Sequence, residues 1–187
     1  TEVTIYLEGD ALYFKHNGKV QFTITDDYDE SITPGHINAI VGVGDSTKTD
    51  NKIGKFGVGF KAVFQYSDTP IVYGDYFKFR IDNYIVPNLI SEDCPKRNPG
   101  ETLFEIPFKN PQVAYREIRQ KLLKMEHPLL FLKNLKSIVW YDTVSRNTRL
   151  EFRKHVMESF VSRGIRCERI IDDNAGNQSE MWLFSRD

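Results

Sequence analysis

Apolar and polar residues alternate along "VTIYLEGDALYFKHNG" at the start of the chain. Val3, Ile5 and Leu7 fall on one face, Gly9-Asp10 supplies a turn, and Leu12, Phe14 and His16 share a face of the returning segment. That period of two predicts a β-hairpin. The acidic stretch Asp26, Asp27, Asp29 and Glu30 follows as a solvated connection. "TPGHINAIVGVG" opens near a proline and sets Ile37, Ile40 and Val41 at helical spacing, which predicts a short helix ending at Gly42 or Gly44. "DSTKTDNK" is polar and aperiodic, and reads as a mobile loop.

The period changes again after Gly59. Phe60, Val63 and Phe64 recur at i, i+3 and i+4 with Lys61 and Gln65 outward, the buried face of a helix. "TPIVYG", "YFKFRID" and "TLFEIPF" read as strands. Phe77, Phe79 and Ile81 oppose Lys78 and Arg80 in the second, and Thr102 joins Phe104, Ile106 and Phe108 in the third. "NLISEDCPKRNPGE" between them reads as a turn-rich excursion. Asn110-Pro111 fits the cap and first turn of a helix carrying Ala114, Ile118, Leu122 and Met125. "PLLFLKNL" predicts a short apolar helix, and "SIVWYD", "LEFRKH", "IRCERIID" and "SEMWLFSR" predict strands, the last two joined by a turn at Asn174 to Asn177. The pattern is that of an α+β protein: a mixed, mostly antiparallel sheet with helices on one face.

Composition narrows the function classes. At 187 residues there is room for one domain, with an appended subdomain at most. A net charge of -1 gives no general drive toward nucleic acid or an anionic membrane. The basic run "RNTRLEFRKH" reads as a solvated strand edge, with a nucleic-acid or acidic-partner contact as the alternative. No apolar run approaches the ~18 residues of a membrane span. Cys94 and Cys167 lack metal-ligand spacing and read as buried or free thiols of a reducing cytosol, so no metal ligand is assigned. The chain starts at Thr1 rather than Met, which is the expectation for a fragment, a processed form or an incompletely visible chain.

The densest chemistry lies in "NKIGKFGVGFKAVF", where Gly54, Gly57 and Gly59 fall within six positions. Glycines this close together carry a backbone-entropy cost. They could simply turn the chain tightly into the following helix. A Walker A loop is excluded, because no Gly-x-x-x-x-Gly-Lys-Ser/Thr is present. The order Gly-x-x-Gly-x-Gly reverses that of kinase and dinucleotide loops, and the polar "TKTDNK" before it is no Rossmann strand. The remaining reading is an anion cradle: amides freed of side chains, a helix start near Phe60, and Lys48, Lys52, Lys55 and Lys61 around it. Such a site would suit a polyphosphate, with about 1–2 kcal/mol from the helix dipole.

"IGKFGVGFKAVF" closely resembles the second glycine box of the GHKL superfamily, which includes gyrase, heat-shock protein 90, histidine kinases and the MutL mismatch-repair proteins. Together with "LYFKHNGKVQFT" and "INAIVGVGDSTKT" it looks most like the sacsin-type, heat-shock-protein-90-like branch, over residues from about 11 to 108. The resemblance implies the Bergerat fold, a two-layer α/β sandwich with ATP between sheet and helices. It implies nucleotide-binding roles for His16, Asn17 and Gly18 of the first box and for Ser46, Thr47 and Lys48 of the lid. The same roles fall to Gly54, Lys55, Phe56, Gly57, Val58, Gly59 and Phe60 of the second box, and to Thr102 of the third, beneath the adenine. His16 stands where the family has an aspartate that reads the adenine amino group. A neutral imidazole accepts one hydrogen bond without the charge, at a cost of about 1 kcal/mol. The alternative for His16 is a core histidine satisfied by backbone.

In the family a helix before the first box carries the acidic general base and the asparagine that holds Mg²⁺. Neither finds a match in this sequence, so no catalytic residue is assigned and turnover stays open. Residues 1–109 correspond to the nucleotide-binding core without that helix, and 110–187 complete or extend the sandwich; "PLLFLKNLKSIVWYD" resembles the segment following it in sacsin-type proteins. The implied function is the ATP-binding domain of a larger, chaperone-like cytoplasmic protein. There ATP, with Mg²⁺ in the full-length chain, switches conformation with slow hydrolysis. Its implied partners are adenine nucleotide and other domains of the same protein, not membrane or nucleic acid. Two rivals share the fold: a regulatory or interaction module without catalysis, and a ligand-free scaffold whose glycines serve packing.

Overall fold

The alternation of the first sixteen residues closes into a hairpin of β1 (Glu2–Leu7) and β2 (Ala11–His16). This is seen in a computed structural model that describes residues 1–20, 22–25, 35–41, 60–145 and 148–186. After β2 come α1 (His36–Val41), a 3₁₀ helix (Phe60–Gln65), β3 (Ile71–Tyr73), β4 (Lys78–Asp82), β5 (Val86–Leu89) and β6 (Thr102–Pro107). Then follow α2 (Pro111–Leu123), β7 (Ser137–Asp142), β8 (Thr148–Ser162), β9 (Ile165–Asn174) and β10 (Asn177–Arg186). Among the described residues the strands form one ten-stranded sheet in the order β10-β9-β8-β7-β1-β2-β6-β3-β4-β5. Every described pairing is antiparallel except that of β1 with β7. The architecture is therefore α+β, a mixed sheet with its helices on one face.

Because β1 and β7 run parallel, no hairpin can bring the chain from β6 to β7. It crosses β2 and β1 instead, and α2 makes the crossing. Pro111 occupies the first turn, where its missing N–H costs nothing. Asn110 caps the helix by position only, with no side-chain hydrogen bond. Ala114 and Ile118 are buried with Leu7 and Phe108 beneath the helix. Next to them Val3, Ile5, Ile138, Trp140, Phe152 and Leu129 make a second cluster. A third lies over β3 and β4, where Ile37 of α1 and Phe64 of the 3₁₀ helix pack on Val72, Phe79 and Ile81.

The described elements depart from the sequence pattern in three places. Residues 128–135 form successive turns and not a helix: the hydrogen bonds run from Leu130 N–H to His127 O, Leu132 N–H to Leu129 O and Leu135 N–H to Leu132 O. Leu129 is fully buried while Phe131 is exposed, so the segment has no continuous helical face. Polar ties fix it to the sheet. Lys154 Nζ donates to Leu129 O and Leu132 O at 3.0 Å, and His127 Nδ1 lies 2.6 Å from Asp172 Oδ2. Second, β8 runs for 15 residues, well past "LEFRKH". A register shift between Val156 and Glu158 reverses which residues face the helices, and this breaks the period that marks a strand. Third, the excursion after β4 begins with strand β5 and then folds over the opposite face, burying Cys94 against Tyr73 and Leu103. Arg97 holds it down through an ion pair with Asp75 at 2.7 Å and a hydrogen bond to Glu101 O at 3.0 Å.

One cross-strand row runs through the register. Thr102 pairs with His16, His16 with Val3, Val3 with Ile138, Ile138 with Phe152, and Phe152 with Asn174.

Asp142, at the end of β7, is fully buried and fully matched. Its carboxylate accepts from Tyr115 Oη (3.0 Å), Arg119 Nε (2.7 Å), Ser145 N–H (2.9 Å) and Val144 N–H (3.1 Å). Burial raises its pKa, but these donors outweigh burial and hold the carboxyl below the usual range. The group ties α2 to the sheet, and removing it takes the acceptor from the Tyr115 hydroxyl and from two backbone amides and leaves Arg119 with Ser145 Oγ. Asp142→Ala is expected to destabilise the chain by about 3 kcal/mol in denaturant unfolding. A loss below about 1 kcal/mol would show that α2 docks by apolar contact alone.

Candidate functional site

The floor of the site follows from strand period. On neighbouring β2 and β6 the pairs Leu12–Ile106, Phe14–Phe104 and His16–Thr102 stand side by side on the face that carries the helices. Two apolar pairs thus end in one polar pair.

Phe104 organises the space above. Its ring lies 6.0 Å from Phe14, 6.2 Å from His16, 6.2 Å from Phe22 and 6.0 Å from Phe60. These rings come from the sheet, from the chain after β2 and from the 3₁₀ helix, so one phenylalanine joins both layers. Segment 22–25 is held on α1 as if by a second strand: Ile37 N–H donates to Thr23 O (3.0 Å), Thr25 N–H to Asn38 Oδ1 (2.9 Å) and Asn38 Nδ2 to Thr25 O (3.0 Å). Gly35 permits this approach. A Cβ there would lie 2.6 Å from Thr23 O and 2.7 Å from Ile24 Cα.

His16 has a defined polarity. Its Nδ1 lies 3.1 Å from the Gly18 amide, which can only donate, so Nδ1 carries the lone pair and Nε2 carries the proton. Burial pushes the His16 pKa down; Glu101 opposes this and the N-terminal amine adds to it. The imidazole is neutral near pH 7. Among the described residues neither His16 Nε2 nor Thr102 Oγ1 has a hydrogen-bond partner. Backbone therefore satisfies one ring nitrogen of His16 and leaves the other open.

The other residues expected in the site from sequence are placed unevenly. Phe60 reaches the floor through Phe104. Gly18 serves the site through its amide. Asn17 turns to β1 instead, where its Oδ1 accepts from Glu2 N–H (2.7 Å) and its Nδ2 donates to Glu2 Oε2 (3.0 Å). Ser46, Thr47, Lys48, Gly54, Lys55, Phe56, Gly57, Val58 and Gly59 lie outside the described residues, as do Lys52 and the whole lid. The helix expected after Gly59 is a 3₁₀ turn of six residues. It is too short to align many peptide dipoles, so the dipole contribution anticipated above does not apply. Lys61 donates to Tyr84 O at 3.1 Å and ties this turn to the loop between β4 and β5. Sequence places Phe104 on the face of Thr102 without giving it a role in the site, and it does not single out Phe22.

Comparison with known proteins agrees with the architecture. No protein-family model matches the chain. In sequence it is similar to Protein NO VEIN of Arabidopsis thaliana, 28% identical over 179 residues, covering 81% of this chain and 6% of that protein. In structure it is similar to the B-subunit of the DNA gyrase from Myxococcus xanthus, with a TM-score of 0.50 and 12% identity, covering 92% of this chain and 56% of that one. This chain thus spans a small part of the first relative and about half of the second. At 12% identity the likeness is one of fold alone, an α+β architecture of sheet and helices.

The depressed pKa of His16 makes stability depend on pH. The folded imidazole binds fewer protons than the unfolded one below the ordinary value of 6.5. Its contribution is complete above that value and is lost as pH falls toward the folded pKa. Acidification from about pH 7.5 to about pH 5.5 should lower the Tm of the native chain more than that of His16→Gln. Parallel Tm-against-pH curves for the two proteins would refute the assignment.

Proposed function

We propose that this chain is a GHKL-type nucleotide-binding domain that holds a purine nucleotide between the His16–Thr102 floor and the layer formed by α1 and the 3₁₀ helix. The observation that carries the reading is the position of Phe60, the residue immediately after the glycine box, on Phe104. The exit of the box is thereby anchored beside two polar side chains that have open hydrogen-bonding capacity. The fold likeness to a gyrase B-subunit supports a nucleotide site, and the likeness to a small part of Protein NO VEIN supports a place within a longer protein.

In this reading the base lies against Thr102 and His16, and Gly54 to Gly59 with Lys48 and Lys55 meet the phosphates. The sandwich is of the heat-shock-protein-90-like, sacsin-type branch, and nucleotide occupancy switches the conformation of a larger cytoplasmic protein. ATP is the nucleotide that the family resemblance implies. Among the described residues no group of His, Cys, Asp and Glu could hold a metal ion, so no step is assigned to Mg²⁺. The presence of His16 where the family has a carboxylate favours a second reading of the same site: a regulatory module that binds nucleotide without chemistry.

Calorimetric titration of the 187-residue chain with purine triphosphates, with and without Mg²⁺, is expected to show saturable binding. Gly59→Val should weaken it by roughly tenfold or more, since a β-branched side chain would block amide access to the phosphates. No binding of any nucleotide would refute the reading. The same polypeptide should show no ATP hydrolysis above background, because the general base and magnesium ligand of the family find no match in it. Steady-state turnover abolished by Gly59→Val would overturn that expectation.

A further inference from the structure

We propose, resting on the nucleotide reading above, that His16 presents a hydrogen-bond donor to the bound base, so that the site prefers a 6-oxo purine (guanine or hypoxanthine) to adenine. The argument starts from Gly18. Its amide donates to His16 Nδ1 at 3.1 Å. Rotating the imidazole by a half-turn would put a C–H where Nδ1 now accepts, and that bond would be lost. The turn that carries the amide is held in place as well. Asn17 N–H donates to Glu2 O (3.3 Å), and its side chain adds the two bonds to Glu2 already described. Phe104 and Phe14 lie against the ring, with centroids at 6.2 and 6.3 Å. The proton therefore stays on Nε2, and among the described residues Nε2 is the ring nitrogen without a partner.

Thr102 stands directly across from His16, but its hydroxyl can rotate to donate or to accept. It sets no preference. His16 is then the member of the pair with fixed polarity, and it is the reverse of a carboxylate, which only accepts. In this proposal the base is oriented with its position-6 substituent, rather than the neighbouring ring nitrogen, facing Nε2–H. An amino group there would set donor against donor. A carbonyl oxygen would accept from Nε2–H. Sites that match a polar group on one ligand discriminate against the ligand that leaves it unmet, and roughly tenfold is expected for one neutral bond.

The test uses ITP and ATP, which differ at position 6 and in the protonation of the adjacent ring nitrogen, with CTP as a pyrimidine control. By calorimetry on the native chain, ITP should bind roughly tenfold more tightly than ATP. His16→Asp should reverse that order. His16→Gln, whose amide offers either polarity, should bring the ratio close to one, and it serves if the buried carboxylate of His16→Asp prevents folding. Separately, the ¹⁵N shifts of the His16 ring in the empty protein should report the Nε2–H tautomer. Tighter binding of ATP by the native chain, an ATP-to-ITP ratio that neither variant changes, or an Nδ1–H tautomer would each overturn the proposal. Equal binding of ITP, ATP and CTP would also overturn it, while leaving a nucleotide site that reads only phosphate. Binding of none of the three would overturn the nucleotide reading together with this one.

Discussion

The parallel pairing of β1 with β7 governs the rest of the molecule. Parallel neighbours need a crossover, and this one must pass over both strands of the opening hairpin. Once α2 and the turns after it occupy that half of the face, the half over β3, β4 and β6 is left to α1 and the 3₁₀ helix. The two helical groups rest on separate apolar clusters. His16, Thr102 and Phe104 lie between them, where the face ends in polar side chains.

Two of the polar centres among the described residues differ in how completely they are enclosed. Asp142 is completely enclosed, and its donors are two side chains of α2 and two backbone amides of the turn after β7. A carboxylate satisfied in this way has little left to offer a ligand, and its role is to hold layers together. His16 and Thr102 are only partly enclosed and only partly bonded. Half-exposed polar groups of this kind can be met by solvent, so they hold no layers together. The aromatic rings around Phe104 meet it edge-on or tilted and make an apolar lining beside these two groups.

Much of this was legible in the sequence, for identifiable reasons. Alternation marked β1, β2, β4 and β6, and it placed His16 and Thr102 on the apolar faces of their strands. It could not say that those strands are neighbours in a register that sets the two residues opposite each other, because pairing between distant segments leaves no local trace. The long β8 was cut short in the reading because its register shift reverses the period midway. The apolar run at 128–135 suggested a helix because composition was strong, but Pro128 and the positive φ of 47° at His127 favour turns there. The second covered face was hidden for another reason. Cys94 and Leu103 are buried by a segment whose own composition is polar, and it is held by Arg97 and its ion pairs rather than by a hydrophobic stripe.

The cross-strand row from Thr102 to Asn174 also has a mechanical meaning. With neighbouring strands ~4.8 Å apart, five steps along it span about 24 Å. Every step is bridged by ladder hydrogen bonds, so the sheet bends as a plate and not as a chain of separate links. A ligand that tilted the plate by one degree at His16 would move its far end by roughly 0.4 Å over that length. Asn174 stands at this end, and its Oδ1 accepts from the backbone of His127 in the turns that cover the core. In such a plate the displacement at a distance depends on its length rather than on any soft hinge.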